Sequence, residues 1–395
     1  MSLLTRLAGP WRAIPVLGVT QILAWGAIFY PPVLTVPLIA AERGWSLAFT
    51  MGGFSLGLAA SGLAAPLLGS LIDRHGGHFV MATGSLIGAA GLIGLAYAAD
   101  PVSYLLIWVV LGVAMAAGLY TPAFASLGRI FGAEARRPIT TLTLIGGFAS
   151  TVSWPMTYFF IEKLGLHGTF LVYAALLALV AAPLHAFALP RHHAHSRPAA
   201  PDKIAPTQKP LPARGTVFLL VAAAFAAYAF VPSALGAHML AIFDRMGLDA
   251  KTVVLIGMLF GPAQVAARLC EFFFAREVHP LLIARGATAL ILVAFLLLAL
   301  LGVSPLVAAA FAILFGACNG LITIATGTVP LALFGAEGYG RLLGRIGGPS
   351  RLLQAIAPLM IAFAAERWSD PAALAIVAAF AAVALLCFLF IRRPA

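Results

Sequence analysis

Apolar residues run through this chain in long blocks rather than in the short or half-polar patterns of a water-soluble fold. Each block holds enough residues for a helix across a bilayer, which needs about 20 of them. The pattern predicts twelve spans, at 13–40, 46–71, 79–98, 102–128, 138–161, 167–188, 215–243, 250–274, 281–303, 305–333, 343–365 and 371–391. The two-residue alternation of a membrane β-barrel is missing, so the expected class is an all-α membrane protein.

One stretch breaks the pattern. Residues 189–214 are polar and Pro-rich, with no apolar period, and read as a linker. The expected organisation is therefore a six-helix bundle over 1–188, a cytoplasmic linker over 189–214 and a second six-helix bundle over 215–395. The halves look like repeats of each other. Gly118-Leu119 followed by Phe131-Gly132-Ala133-Glu134 parallels Gly320-Leu321 followed by Phe334-Gly335-Ala336-Glu337. Pro32 followed by Gly44-Trp45-Ser46 parallels Pro232 followed by Gly247-Leu248-Asp249, with Ser46 and Asp249 placed to cap the next helix. Two parallel six-helix repeats imply a central cavity opened alternately to each side of the membrane.

Composition agrees with this plan and removes alternatives. The 395 residues are 62% hydrophobic and 9% charged, with a mean hydropathy of +1.03. Too few charges remain to cover a soluble surface, and too many apolar groups are present for disorder. A net charge of +11 in a soluble chain would suggest nucleic acid. Here the cations follow the loops instead. With both termini inside, the cytoplasmic loops and ends, counted with the adjoining ends of the spans, hold 17 of the 24 Lys and Arg and the outer side five. That is the positive-inside bias, and it predicts a multi-pass protein of the cytoplasmic (inner) membrane with no nucleic-acid partner. Arg6 and Arg12 precede no small-residue cleavage site, so the first span is expected to be retained. Cys270, Cys318 and Cys387 lie inside apolar blocks without ligand or redox spacing. His192, His193 and His195 in the linker are close enough for a metal, but such a run is more often a solvated tail.

Between the second and third spans the chain reads Gly69-Ser-Leu-Ile-Asp73-Arg74-His75-Gly76. This resembles the G-x-x-x-D-R-x-G loop of the major facilitator superfamily, a resemblance that the twelve-span plan extends over the whole chain. It implies the major facilitator fold and a secondary transporter working by alternating access. Gly69 suits a close helix approach, Asp73 the positive N-terminus of a neighbouring helix, Arg74 a carboxylate and Gly76 a tight turn, together a gating motif. In the second half the matching loop, Glu271 to Arg276, keeps the Arg and lacks the Asp.

The eighth span carries Gln264 and Arg268. It resembles the same span of the monocarboxylate and oxalate–formate antiporter families, where the Arg contacts a substrate carboxylate and follows an Asp by four residues. Gln264 stands at the Asp position, so the proton group of the monocarboxylate carriers is missing. A charge inside a span is a functional candidate by default. Arg268 could alternatively snorkel to the cytoplasmic face or pair with Glu271. Arg351 is intramembrane if the eleventh span starts near Leu343, and interfacial if Gly347-Gly348-Pro349 delay that start. Gln354, Asn319, His238, Tyr120 and Trp154 complete the expected substrate-contacting set, although each also suits a helix–helix contact, as does Gln21.

The expected substrate is a small organic anion of monocarboxylate type. The alternative is a carrier of larger amphipathic or aromatic compounds, drug- or flavin-like. Neither phosphate loop nor metal constellation nor nucleophile–base pair is present in the sequence, so no cofactor, metal or enzymatic role is expected. The expected partners are the lipid bilayer, the substrate and a coupling proton, for which Glu271 and His238 are the candidates. The protein is expected to act as a monomer.

Overall fold

The structure is a computed structural model and describes residues 9–191 and 215–392. The linker histidines lie outside the described residues. Fourteen α-helices and no strand occur among the described residues. In chain order they are α1 (Ala13–Ala24), α2 (Pro32–Arg43), α3 (Leu47–His75), α4 (Gly77–Tyr97), α5 (Pro101–Gly118), α6 (Tyr120–Phe131), α7 (Arg136–Gly146) and α8 (Ala149–Leu176). They continue with α9 (Thr216–Arg245), α10 (Ala250–Phe274), α11 (Pro280–Leu301), α12 (Pro305–Phe334), α13 (Tyr339–Arg367) and α14 (Asp370–Phe390).

Several spans are built from two helical pieces. A π-helical turn at Trp25–Phe29 joins α1 towards α2, so one continuous apolar stretch runs from Pro10 to Arg43. From Pro101 to Ala188 a second stretch is 88 residues long, far beyond the roughly 30 Å of a bilayer core. Left-handed backbone at Gly132 (φ 59°) and Gly165 (φ 68°) divides it into three passes. With that division, the ten long apolar stretches among the described residues make twelve passes. The eleventh starts earlier than the sequence pattern suggested. Helix α13 begins at Tyr339, not Leu343, and runs through Gly347, Gly348 and Pro349 without a break.

The helix starts follow from the residues before them. Ser46 Oγ accepts from Phe49 N (3.2 Å) and Asp249 Oδ1 from Thr252 N (3.0 Å), which makes both of them N-caps. Each follows a glycine in the left-handed region, Gly44 and Gly247. Gly132 and Gly335, in the two Phe-Gly-Ala-Glu segments, both have positive φ as well. The pairing fails at one place. The helix breaks after Gly118, where Leu119 has ψ −161°, whereas α12 runs straight through Gly320.

The described residues form two compact units. The first holds 9–191 and 330–348, with Gly215 and Arg392; the second holds 216–329 and 349–391. In the first unit α3 packs on α5, α5 on α4 and α4 on α8. Gly57 and Gly112 let α3 and α5 touch backbone to backbone, because a Cβ on Gly112 would overlap the Gly57 carbonyl. Trp108 and Tyr104 fill the same seam and are fully buried. In the second unit α14 packs on both α9 and α11. Arg285 of α11 donates to the carbonyls of Phe388 and Ile391 (3.0 and 2.7 Å) at the negative end of α14.

Candidate functional site

The Gly69–Gly76 loop lies in the first unit with the opening turns of α13. Asp73 Oδ1 accepts from Gly340 N and Oδ2 from Arg341 N, both at 2.8 Å. A carboxylate at a helix N-terminus satisfies two orphan amides and meets the positive end of the helix dipole. Gly69 allows this approach, since a Cβ there would run into the Gly340 carbonyl. Further along the seam, Gly344 faces the Ala65 backbone and Gly348 the Gly62 carbonyl. Gly76 turns the chain with φ 88°. Arg74 is exposed. A residue absent from the sequence-based set completes the arrangement. Arg129 of α6 donates to the carbonyls of Ile72 and Asp73 at the C-terminal end of α3. Only its cationic charge at the end of a span hinted at this role.

The polar residues of the second unit sort into helix ties and ligand candidates. Pro358 has no N–H, so the Gln354 carbonyl four residues earlier loses its helical donor. Ser233 Oγ of α9 supplies one at 2.7 Å. His238 Nε2 donates to the Pro358 carbonyl at 2.8 Å. His238 therefore ties α9 to α13, the packing role the sequence left open beside ligand contact. Arg351 Nη1 donates to Gln354 Oε1 at 2.9 Å, which fixes one edge of the guanidinium with a neutral acceptor. Because α13 runs unbroken from Tyr339 to Arg367, Arg351 sits about 3 Å along the axis from its midpoint. The interfacial reading of Arg351 falls with that. On α10, Arg268 is 3% exposed and Glu271, one turn on, is 4% exposed. Enclosure to that degree does not fit a side chain that snorkels to the membrane surface. Gln264 and Asn319 are half-buried on α10 and α12. Cys318 is buried, donating to the Ala287 carbonyl (2.9 Å) and bonded to the Tyr228 hydroxyl (3.2 Å).

In the first unit, Gln21 joins two breaks in the helices. Its Nε2 donates to the Gly118 carbonyl (2.7 Å), which the irregular Leu119 and the imino Pro122 leave without a helical donor. Its Oε1 accepts from Trp25 Nε1 (3.1 Å) at the start of the π turn. Around this point Trp25 lies 5.1 Å from Tyr120, and Tyr30 lies 6.1 Å from Trp154, between ring centroids. Tyr120 and Trp154 are thus brought to one aromatic cluster. A separate cavity of about 170 Å³ is lined in part by Glu42, Arg43, Tyr104 and His167 and contains none of the expected site residues. Groups of three or more His, Cys, Asp or Glu that could hold a metal are absent among the described residues.

A long apolar helix array with breaks inside its spans and a cation near the midpoint of one of them describes a membrane transporter. The family model of the Major Facilitator Superfamily matches residues 16–331, and the chain belongs to that family. It is similar in structure to the human organic anion transporter MFSD10 (TETRAN), with a TM-score of 0.71, 17% identity, and 98% of this chain and 99% of that one covered. It is also similar to the proton:xylose symporter XylE bound to 6-bromo-6-deoxy-D-glucose, with a TM-score of 0.71, 11% identity, and 95% and 94% covered. At these identities the likeness is one of fold. No curated protein matches the sequence significantly.

Proposed function

We propose that this transporter carries a small organic anion by alternating access, with Arg351 and Arg268 as the partners of its carboxylate. One observation carries the reading: the Arg351 guanidinium stands near the midpoint of an unbroken 29-residue span. A cation at that depth is costly, and in a carrier it is retained where it meets an anion. Gln354 orients it without adding charge. Arg268 is a second guanidinium in the same unit, and the resemblance of its span to monocarboxylate and oxalate–formate carriers supports the same class. That branch of the family is part of the proposal, as are the inner-membrane location and the cytoplasmic termini. One structural relative is an organic anion transporter and the other a proton:xylose symporter, so the fold alone does not choose a substrate. An aromatic cluster in the first unit favours a second reading, a carrier of larger aromatic or amphipathic compounds.

Asp73 acts in this proposal as a latch. Its two backbone bonds to Gly340 and Arg341 must break whenever α13 leaves α3. Glu271 is the proposed coupling carboxylate, because it lies inside a span and is enclosed by protein.

The test is equilibrium binding of acetate, lactate, benzoate and succinate to the purified protein, wild type against Arg351→Lys and Arg351→Ala. A planar guanidinium binds a carboxylate through two parallel hydrogen bonds, whereas an ammonium is a hydrated point charge. Lysine should therefore restore little of the affinity lost in Arg351→Ala, about two decades or more. Wild-type affinity in both variants would remove Arg351 from the site.

A further inference from the structure

The first unit holds two kinds of aromatic side chain. Trp108 and Tyr104 are core, 1% and 0% exposed, in the seam between α3 and α5. A second set is not core. Trp25, Tyr30 and Tyr120 are half-buried and Trp154 is 48% exposed, yet their rings form a continuous chain. Trp25 lies 5.8 Å from Tyr30 and 5.1 Å from Tyr120, and Tyr30 lies 6.1 Å from Trp154, all within the edge-on and offset range of aromatic contact.

Three different spans contribute these rings, and the backbone is irregular where they meet. Trp25 opens the π turn and Tyr30 closes it, its N–H bonded to the Trp25 carbonyl (3.0 Å) five residues back. Extra residues of this kind re-aim side chains and recur at functional sites. Tyr120 follows the helix break at Leu119 and stacks on Phe124 with 13° between the ring planes. Beside Trp154, Ser153 Oγ donates to the Gly26 carbonyl (3.0 Å) inside the π turn and fixes the two spans together. The Trp25 indole is held by Gln21, which is itself held by the Gly118 carbonyl. These rings are fixed in advance rather than adaptable, which lowers the ordering cost of binding a flat partner. Their faces are negative and their edges positive, a pattern matched by another aromatic ring.

We propose that Trp25, Tyr30, Tyr120 and Trp154 form a subsite for a planar aromatic group. It deepens the second of the two substrate readings above, that of an aromatic compound, and rests on the first unit alone.

Two acids of similar size and equal charge separate the ring from the carboxylate. Benzoate is flat and aromatic, and cyclohexanecarboxylate is puckered and saturated. Isothermal titration of the purified protein should give benzoate the higher affinity by about five- to tenfold. Trp154→Ala should remove that ratio and Trp154→Phe should keep most of it, with circular dichroism and size exclusion confirming that both variants fold. If neither acid binds, benzamide against cyclohexanecarboxamide makes the same comparison without charge. A preference for benzamide would keep the aromatic subsite and refute the anion reading. Equal affinities within the pair that binds, a ratio that survives Trp154→Ala, or no binding of any ring compound would overturn the subsite.

Discussion

Ser85 and His185 are both buried, and the tautomer of the histidine follows from its neighbour. The Ser85 hydroxyl donates to the Met81 carbonyl at 2.9 Å, so towards His185 Nδ1, 3.1 Å away, it accepts. Nδ1 therefore carries the proton and Nε2 keeps its lone pair. Ser85→Ala would leave a buried imidazole N–H without an acceptor, at a cost of about 1–3 kcal/mol. The thermal midpoint in detergent should fall clearly; an unchanged midpoint would show that the bond contributes nothing. Asp249 caps the N-terminus of α10. Its bonds from Thr252 at the helix N-terminus hold its carboxyl below the usual carboxylate value of 3.8. A depressed folded pKa adds stability that is complete above the unfolded value and is lost as pH falls through the folded one. Asp249→Asn keeps a capping oxygen without charge, so the wild-type advantage in thermal midpoint should be present at pH 7 and be lost as pH falls through the depressed folded pKa. An advantage independent of pH would contradict the cap. The Asp249 cap was legible in the sequence, since it stands before an apolar run. His185 was not, because a histidine in an apolar span looks the same whether or not a serine on another span faces it.

At the scale of helices, prolines and glycines decide what the polar side chains do. The Gln354 carbonyl depends on Ser233 only because Pro358 cannot donate to it. Ser233→Ala should thus cost about 1 kcal/mol or more in the wild type and much less in a Pro358→Ala background, where the restored backbone N–H takes over the carbonyl. A double-mutant cycle on thermal midpoints reads the difference, and additive effects would contradict the pairing. The seam between α3 and α13 makes a kinetic prediction. Asp73→Asn retains one acceptor oxygen but weakens the bonds to Gly340 and Arg341 that must re-form when the seam closes in each cycle, so it should slow turnover while leaving equilibrium substrate affinity close to wild type. Lost affinity with intact turnover would assign Asp73 to the ligand instead. Sequence placed Asp73 beside some helix N-terminus and could not say which, for its partners are 267 and 268 residues away. The same limit hid the partner of Gln21, whose helix–helix role the sequence suggested but whose acceptor at Gly118 is 97 residues distant.

For the whole molecule, the apolar blocks carried the fold. Bilayer thickness sets span length, and an apolar run of that length has few other uses, so twelve passes could be counted before any contact was known. Family membership followed from the same pattern and one loop. Substrate chemistry was less legible. The aromatic cluster gathers residues 25, 30, 120 and 154 from three spans, and spacing along the chain does not reveal that. Orientation rests on the 17-to-5 distribution of cations. A cysteine placed at Lys163 should react with an impermeant maleimide in intact cells and one placed at Pro201 should not; the reverse result would invert the topology.

The most direct test of the central claim is counterflow in proteoliposomes. Vesicles loaded with unlabelled benzoate are diluted into a trace of labelled benzoate, and uptake is followed over time. A carrier that alternates access exchanges label for unlabelled anion, so wild-type vesicles should accumulate label transiently above equilibrium. Arg351→Ala vesicles should follow protein-free controls. Wild-type vesicles that show no overshoot with benzoate, acetate, lactate or succinate, yet show one with a neutral or cationic amphipathic compound, would contradict the account.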